Sequence, residues 1–191
     1  MTEKGRRHRE GLVDAAMRLF RRQGYAGTGL TEILELSGAP RGSLYHYFPG
    51  GKEAIGEAAV AHAGERVAQR LEELARAHPE PAAFVRAWFA QYAEWMEESE
   101  FSAGCPIAST LLETAPGSPD ITRAGRAATG RWIALVAAVY ERAGWSATDA
   151  RACAELAVAA LEGALILARV QESADPLQSV GEAIATRSAP G

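Results

Sequence analysis

The chain has 191 residues, enough for one domain or two small ones with a real core. Its 20 basic side chains stand against 24 acidic ones, a formal net charge of −4, which excludes a uniformly basic nucleic-acid coat but not a local basic patch. Hydrophobic residues at 48% and charged residues at 23% fit a globular chain rather than a disordered one.

The charge is unevenly shared. Residues 1–52 carry nine Lys and Arg against five acids, or +4, and the remainder carries −8. A basic head on an acidic body points to an anionic partner for the head alone; chance clustering on a solvated first helix is the bland alternative. Two isolated cysteines, Cys105 and Cys153, suit neither a disulfide framework nor a Cys-based zinc site, so no metal and no cofactor is expected. The longest apolar run, Trp132 to Tyr140, is far short of the ~20 residues that span a bilayer. The first residues lack the apolar stretch of a secretory signal. A cytoplasmic protein with no membrane partner is expected.

Apolar residues recur at three- and four-residue spacing throughout, with no persuasive alternation of period two, so the expected class is all-α. The first helix spans Arg6 to Gln23, with Leu12, Val13, Ala16, Met17 and Phe20 on one face, and Gly24 ends it. A second runs from Leu30 to Leu36 and a third from Arg41 to Tyr47, with Gly38-Ala39-Pro40 between them. A long fourth helix covers Lys52 to Ala77 and an aromatic fifth covers Pro81 to Glu98. Pro106 to Thr114, Asp120 to Arg142, Thr148 to Gln171 and Pro176 to Thr186 complete the series, before a frayed tail.

Two short helices joined by a glycine-containing turn, after a longer first helix, fit a helix-turn-helix. In the third helix Leu44, Tyr47 and Phe48 fall on one side, able to meet Val13, Phe20 and Ile33, and leave Gly42, Ser43, Tyr45 and His46 on the other side or its flanks. Gly42 permits close backbone approach. Ser43, Tyr45 and His46 offer hydrogen bonds to phosphates or base edges, and Arg41 can fork onto guanine or a phosphate. A plain helical hairpin with ornamental surface residues has the same spacing.

The run Thr28-Gly29-Leu30-Thr31-Glu32-Ile33, then Ser37 through Phe48 with Leu44-Tyr45-His46-Tyr47-Phe48 and the following Lys52-Glu53, resembles the TetR family of transcriptional repressors. Ala15 to Phe20 and Gly24-Tyr25 fit the same pattern, and the resemblance covers residues 8–57. It implies an all-α homodimer with an N-terminal three-helix DNA-binding head (residues 1–52) and a C-terminal ligand-binding and dimerisation domain (residues 53–191). It also implies a double-stranded operator and a small-molecule inducer as partners. Carried over residue by residue, DNA contacts fall on Thr28, Arg41, Gly42, Ser43, Tyr45, His46 and Lys52. Gly29 stands where the family commonly has Ser or Thr, which shifts capping of the second helix to Thr28. Pro40 removes one phosphate contact, and Phe48-Pro49-Gly50-Gly51-Lys52 is one residue longer than the commonest form. That extra glycine, with Gly104-Cys105-Pro106-Ile107, resembles the subgroup that represses drug-efflux operons and includes flavonoid-responsive members.

Phe84, Trp88, Tyr92 and Met96 recur every four residues and line one stripe of the fifth helix. Such a stripe is either plain core or one wall of a pocket; the family resemblance favours a pocket. The ligand set expected is Trp88, Tyr92, Met96, Cys105, Ile107 and Leu111, with His62, Gln91 and Glu94 as polar candidates. On the eighth helix Ala157, Ala160, Ala164 and Ala168 lie beside Leu156, Leu161, Leu165 and Leu167. With Leu177, Val180 and Ile184 of the ninth, this surface is either intrachain core or a homodimer bundle, and the resemblance favours the dimer. The leading function is a dimeric, ligand-released repressor of a palindromic operator. A thiol-responsive regulator sensing through Cys105 is the alternative. A small helical enzyme is a distant third, since no Ser-His-Asp arrangement or phosphate loop supports it.

Overall fold

The computed structural model describes residues 2–188, leaving aside the side chain of Pro106, and every regular element among them is helical. The helices are α1 (Glu3–Gln23), α2 (Leu30–Ser37), α3 (Ser43–Tyr47), α4 (Gly51–Ala77), α5 (Pro81–Glu98), α6 (Pro106–Thr114), α7 (Pro119–Arg142), α8 (Ala147–Gln171) and α9 (Asp175–Arg187). By contact the chain forms two units, Met1–Glu65 with Cys105–Ala128, and Arg66–Gly104 with Thr129–Gly191. The first therefore takes in the DNA-binding head expected at residues 1–52 together with α6 and the start of α7. Helices α4 and α7 each contribute to both units.

In the first unit α1 begins three residues before the expected Arg6, because the Thr2 hydroxyl caps it by accepting from the Gly5 amide at 3.2 Å. Gly24 ends α1 at φ 79°, its N–H returning to the Phe20 carbonyl. The start of α2 corrects the expected capping by Thr28. Gly29 is the N-cap, and the Glu32 carboxylate reaches back to accept its N–H at 2.7 Å. Thr28 is buried and donates its hydroxyl to the Gly24 carbonyl at 2.8 Å. Pro40 to Gly42 form a turn, with Ser43 N–H donating to the Pro40 carbonyl, so α3 is two residues shorter than expected.

The core of this unit joins Leu12, Val13, Ala16 and Phe20 of α1 to Ile33 of α2, Leu44 and Phe48 around α3, and Ile55 of α4. Tyr47 is packed against it partly buried. Val13, Phe20, Ile33, Leu44 and Phe48 are partners the sequence pattern paired, Ile55 is an addition, and each large aliphatic or aromatic side chain so buried contributes roughly 1.5–3 kcal/mol. α6 lies against α1.

The second unit is built on α5, α8 and α9, with α9 against both of the others. Phe84, Trp88, Phe89 and Met96 of α5 are almost wholly buried. Trp88 stands between Phe84 and Phe89, ring centroids 5.9 and 5.8 Å away. The Tyr140 hydroxyl shares a buried 2.7 Å hydrogen bond with Ser188, beyond the end of α9.

α8 turns most of its alanine stripe inward. Ala157, Leu161, Ala164, Leu165 and Ala168 are buried within the chain itself. Most of the small-residue stripe expected to meet a second copy is therefore intrachain core, since Ala lets α8 approach its own neighbours closely. What remains outside is Leu156, Ile166, Leu167 and Val170, the last 76% exposed. No helix among the described residues is long and apolar enough to cross a membrane.

Candidate nucleic-acid interface

α3 is a five-residue helix whose two faces differ sharply. Leu44 and the following Phe48 anchor it in the core, while Tyr45, 62% exposed, and His46 point outward. The His46 ring lies edge-on to Tyr47 at 4.8 Å. Arg41 and Gly42 are exposed in the turn before α3, and a side chain built at Gly42 would meet nothing within 4 Å. Ser43 is half-buried and donates its hydroxyl to the Pro40 carbonyl at 2.5 Å, so its oxygen keeps acceptor capacity toward a partner.

Lys52 is half-buried near the start of α4. Its Nζ donates to the Ala26 carbonyl at 3.3 Å and lies 4.5 Å from the Tyr25 ring centroid, a cation–π geometry. Thr28 stands apart from the other six, because it is buried, its hydroxyl donating inside the α1–α2 turn. The sequence pattern did not mark Arg9, whose guanidinium sits 5.2 Å from the Phe48 ring. No local signal could, as the two are 39 positions apart in sequence.

The expected ligand residues fall into two groups. Trp88, Tyr92 and Met96 are buried on α5 in the second unit. The Trp88 indole N–H is buried without a hydrogen-bond partner among the described residues. Cys105, Ile107 and Leu111 belong to the first unit. Cys105 is buried at the N-cap of α6, its Sγ accepting from the Ala108 amide at 3.5 Å. Leu111 lies half-buried against Gly125 of α7.

The polar candidates are engaged elsewhere. His62 Nε2 pairs with Asp14 at 3.2 Å, and Gln91 accepts from Arg70 while donating to Glu94 at 3.3 Å. The second cysteine, Cys153, has its thiol pushed up by burial and then by nearby Asp149, which disfavours the reactive thiolate. No group of three metal-ligating side chains occurs among the described residues.

Residues 12–59 match the family described as bacterial regulatory proteins, tetR family. Residues 81–183 match the C-terminal domain of LmrA/YxaF-like transcriptional regulators. The chain belongs to the TetR family of transcriptional regulators. As such it is a DNA-binding regulator with a helix-turn-helix, and not an enzyme. The HTH-type transcriptional regulator LmrA of Bacillus subtilis is 32% identical over 92% of this chain and 94% of its own. The uncharacterized HTH-type transcriptional regulator Rv0196 of Mycobacterium tuberculosis is 37% identical over 90% of this chain and 89% of its own. A solved TetR regulatory protein from Rhodobacter sphaeroides superposes with a TM-score of 0.83 at 27% identity, covering 94% of this chain and 98% of the other. The TetR resemblance expected from the motifs thus agrees with relatives spanning nearly the whole chain.

Proposed function

We propose that this TetR-family regulator is a repressor that binds a palindromic operator as a homodimer and is released by a small, mostly apolar or aromatic inducer. The reading rests on one observation above others. Arg41 and Gly42 in the turn before α3, with Tyr45 and His46 on it, form an outward-facing surface on a recognition helix held down by Leu44 and Phe48. Arg41 reads a base or a phosphate, Gly42 admits the DNA backbone, and Ser43, Tyr45, His46 and Lys52 bind phosphates or base edges. The buried Thr28 supports the turn rather than touching DNA with its hydroxyl. A regulator of this kind works in the cytoplasm, where its operator lies.

Dimerisation is proposed through α8 and α9, but with the exposed Leu156, Ile166, Leu167 and Val170 as the apolar surface instead of the inward alanines. Of the expected ligand residues, Trp88, Tyr92 and Met96 of α5 are the ones proposed to engage the inducer. The unmet Trp88 indole N–H favours an inducer that carries a hydrogen-bond acceptor. A thiol sensor at Cys105 is not favoured, because that sulfur is buried and accepts the α6 cap hydrogen bond.

The test is selection of duplexes from a random pool by the full chain, followed by light scattering without DNA. Enrichment of an inverted repeat by a dimer is expected, with the two half-sites read on one side of the duplex. Enrichment of a site without two-fold symmetry, or a monomer at micromolar concentration, would overturn the proposal.

A further inference from the structure

We infer that Glu113 of α6 is a positioning residue for DNA binding: its carboxylate fixes the turn that orients the helix-turn-helix on α1. The inference rests on the DNA-binding reading above and goes beyond it, because Glu113 is not among the residues proposed to touch an operator.

The turn between α1 and α2 reverses the chain within Gly24 to Gly27, and most of its backbone groups have an identified partner. Gly24 N–H returns to Phe20, and the Gly24 carbonyl accepts the Thr28 hydroxyl. Thr28 N–H closes on the Tyr25 carbonyl, Lys52 Nζ donates to the Ala26 carbonyl, and Gln23 Nε2 donates to the Gly27 carbonyl at 3.0 Å. The amides of Tyr25 and Ala26 have no acceptor within the turn. Both donate to Glu113, at 3.0 Å to Oε1 and 2.5 Å to Oε2. One carboxylate thus holds two successive N–H groups, the two-point geometry that makes charge-assisted hydrogen bonds directional.

Gly24 makes this approach possible. Its φ of 79° suits glycine, and a Cβ there would collide with the Glu113 carboxylate. The Tyr25 ring is held as well, 5.2 Å from Phe20 and beneath Lys52. Because α2 begins three residues after Gly27, a small rotation of the turn would swing α2 and α3 together, and with them Arg41, Tyr45 and His46. Positioning of this kind acts on affinity through the fraction of molecules whose head is competent to bind.

The sign of the effect separates positioning from plain charge. Removing a negative charge from a DNA-binding unit should leave binding unchanged or tighten it. Loss of positioning weakens it.

The experiment uses the full chain, as wild type, Glu113→Gln and Glu113→Ala, with the duplex that wild type selects from a random pool. Amide hydrogen exchange at Tyr25 and Ala26 is followed in the free proteins. For Glu113→Ala we expect faster exchange at those two amides and operator affinity lower by roughly tenfold, with an unchanged salt slope. Glu113→Gln, which keeps a carbonyl acceptor for one amide, should fall between Glu113→Ala and wild type. Faster exchange with equal or tighter DNA binding would make Glu113 a fold support only and overturn the inference. Unchanged exchange would overturn it too. If wild type selects no duplex, the DNA-binding reading itself fails and this inference falls with it, whereas selection by wild type with equal binding by both variants defeats this inference alone.

Discussion

Gly181 of α9 stands so close to Phe89 of α5 that a Cβ added to it would lie 2.7 Å from the Phe89 Cβ and 2.9 Å from its Cγ. One position along, Glu182 accepts two hydrogen bonds from Arg86, at 2.6 and 2.8 Å. The absence of a side chain at one residue and the charge of the next together set how near the two helices run. Gly181→Val is therefore expected to destabilise the second unit by about 1–3 kcal/mol, the usual cost of overpacking a dense contact. Urea unfolding with an unchanged m-value would measure it. Stability equal to wild type would mean that α9 slides freely past Phe89.

Glu32 gives a stability term with a defined pH sign. The Gly29 N–H, and after it the Gln23 side-chain amide, holds its carboxyl below the ordinary carboxylate range. A pKa depressed by folding adds stability that is complete above the unfolded value and disappears as pH falls through the folded one. Glu32→Gln keeps an acceptor but cannot titrate. The melting temperature of wild type should exceed that of the variant near neutrality, and the gap should close as pH drops below the usual carboxylate range. A gap that stays constant down to acid pH would sink the assignment.

Arg41 and Lys52 should fail in different ways. Arg41→Ala is expected to cost about 1–3 kcal/mol and to relax preference at one position of each half-site, as loss of a base contact does. Lys52→Ala should weaken all duplexes alike. Both can be read by electrophoretic shift across a salt series, and equal binding by wild type and both variants would show that neither residue touches DNA.

On α8 the two faces can be separated by substitution. Ile166→Glu and Val170→Glu place charge on the exposed stripe and should shift a dimer toward monomer in analytical ultracentrifugation while helical content stays. Ala164→Leu enlarges a buried position and should instead lower unfolding stability, by about 1–3 kcal/mol. A dimer that survives both glutamates lies on another surface.

Much of this was legible from residue order. The spacing of Leu12, Val13, Ala16 and Phe20 already made one helix face, and it is the face that meets Ile33 and Leu44. A helix of 3.6 residues per turn projects such a pattern whatever surrounds it. The outward Arg41, Tyr45 and His46 follow from the same periodicity once Leu44 and Phe48 are assigned inward. The family followed from the motif between Thr28 and Lys52, and the chain's relatives agree with it.

Tertiary structure decided what periodicity leaves degenerate. α8 carries apolar side chains around most of its circumference, so the pattern could not say which stripe faces its own chain. The neighbours α5 and α9 took the alanine side because small residues allow the nearest approach. The N-cap of α2 went to Gly29 once Glu32 could reach its amide, and Thr28 turned inward to Gly24. Glu113 carried no signal at all, standing 88 residues from Tyr25 in the sequence. Sequence by itself determined which residues share a helix face, because that is set by local geometry. Only the folded chain determined which distant carboxylate meets the unpaired amides of a turn, because a hydrogen bond between remote segments exists only after other contacts have brought them within 3 Å.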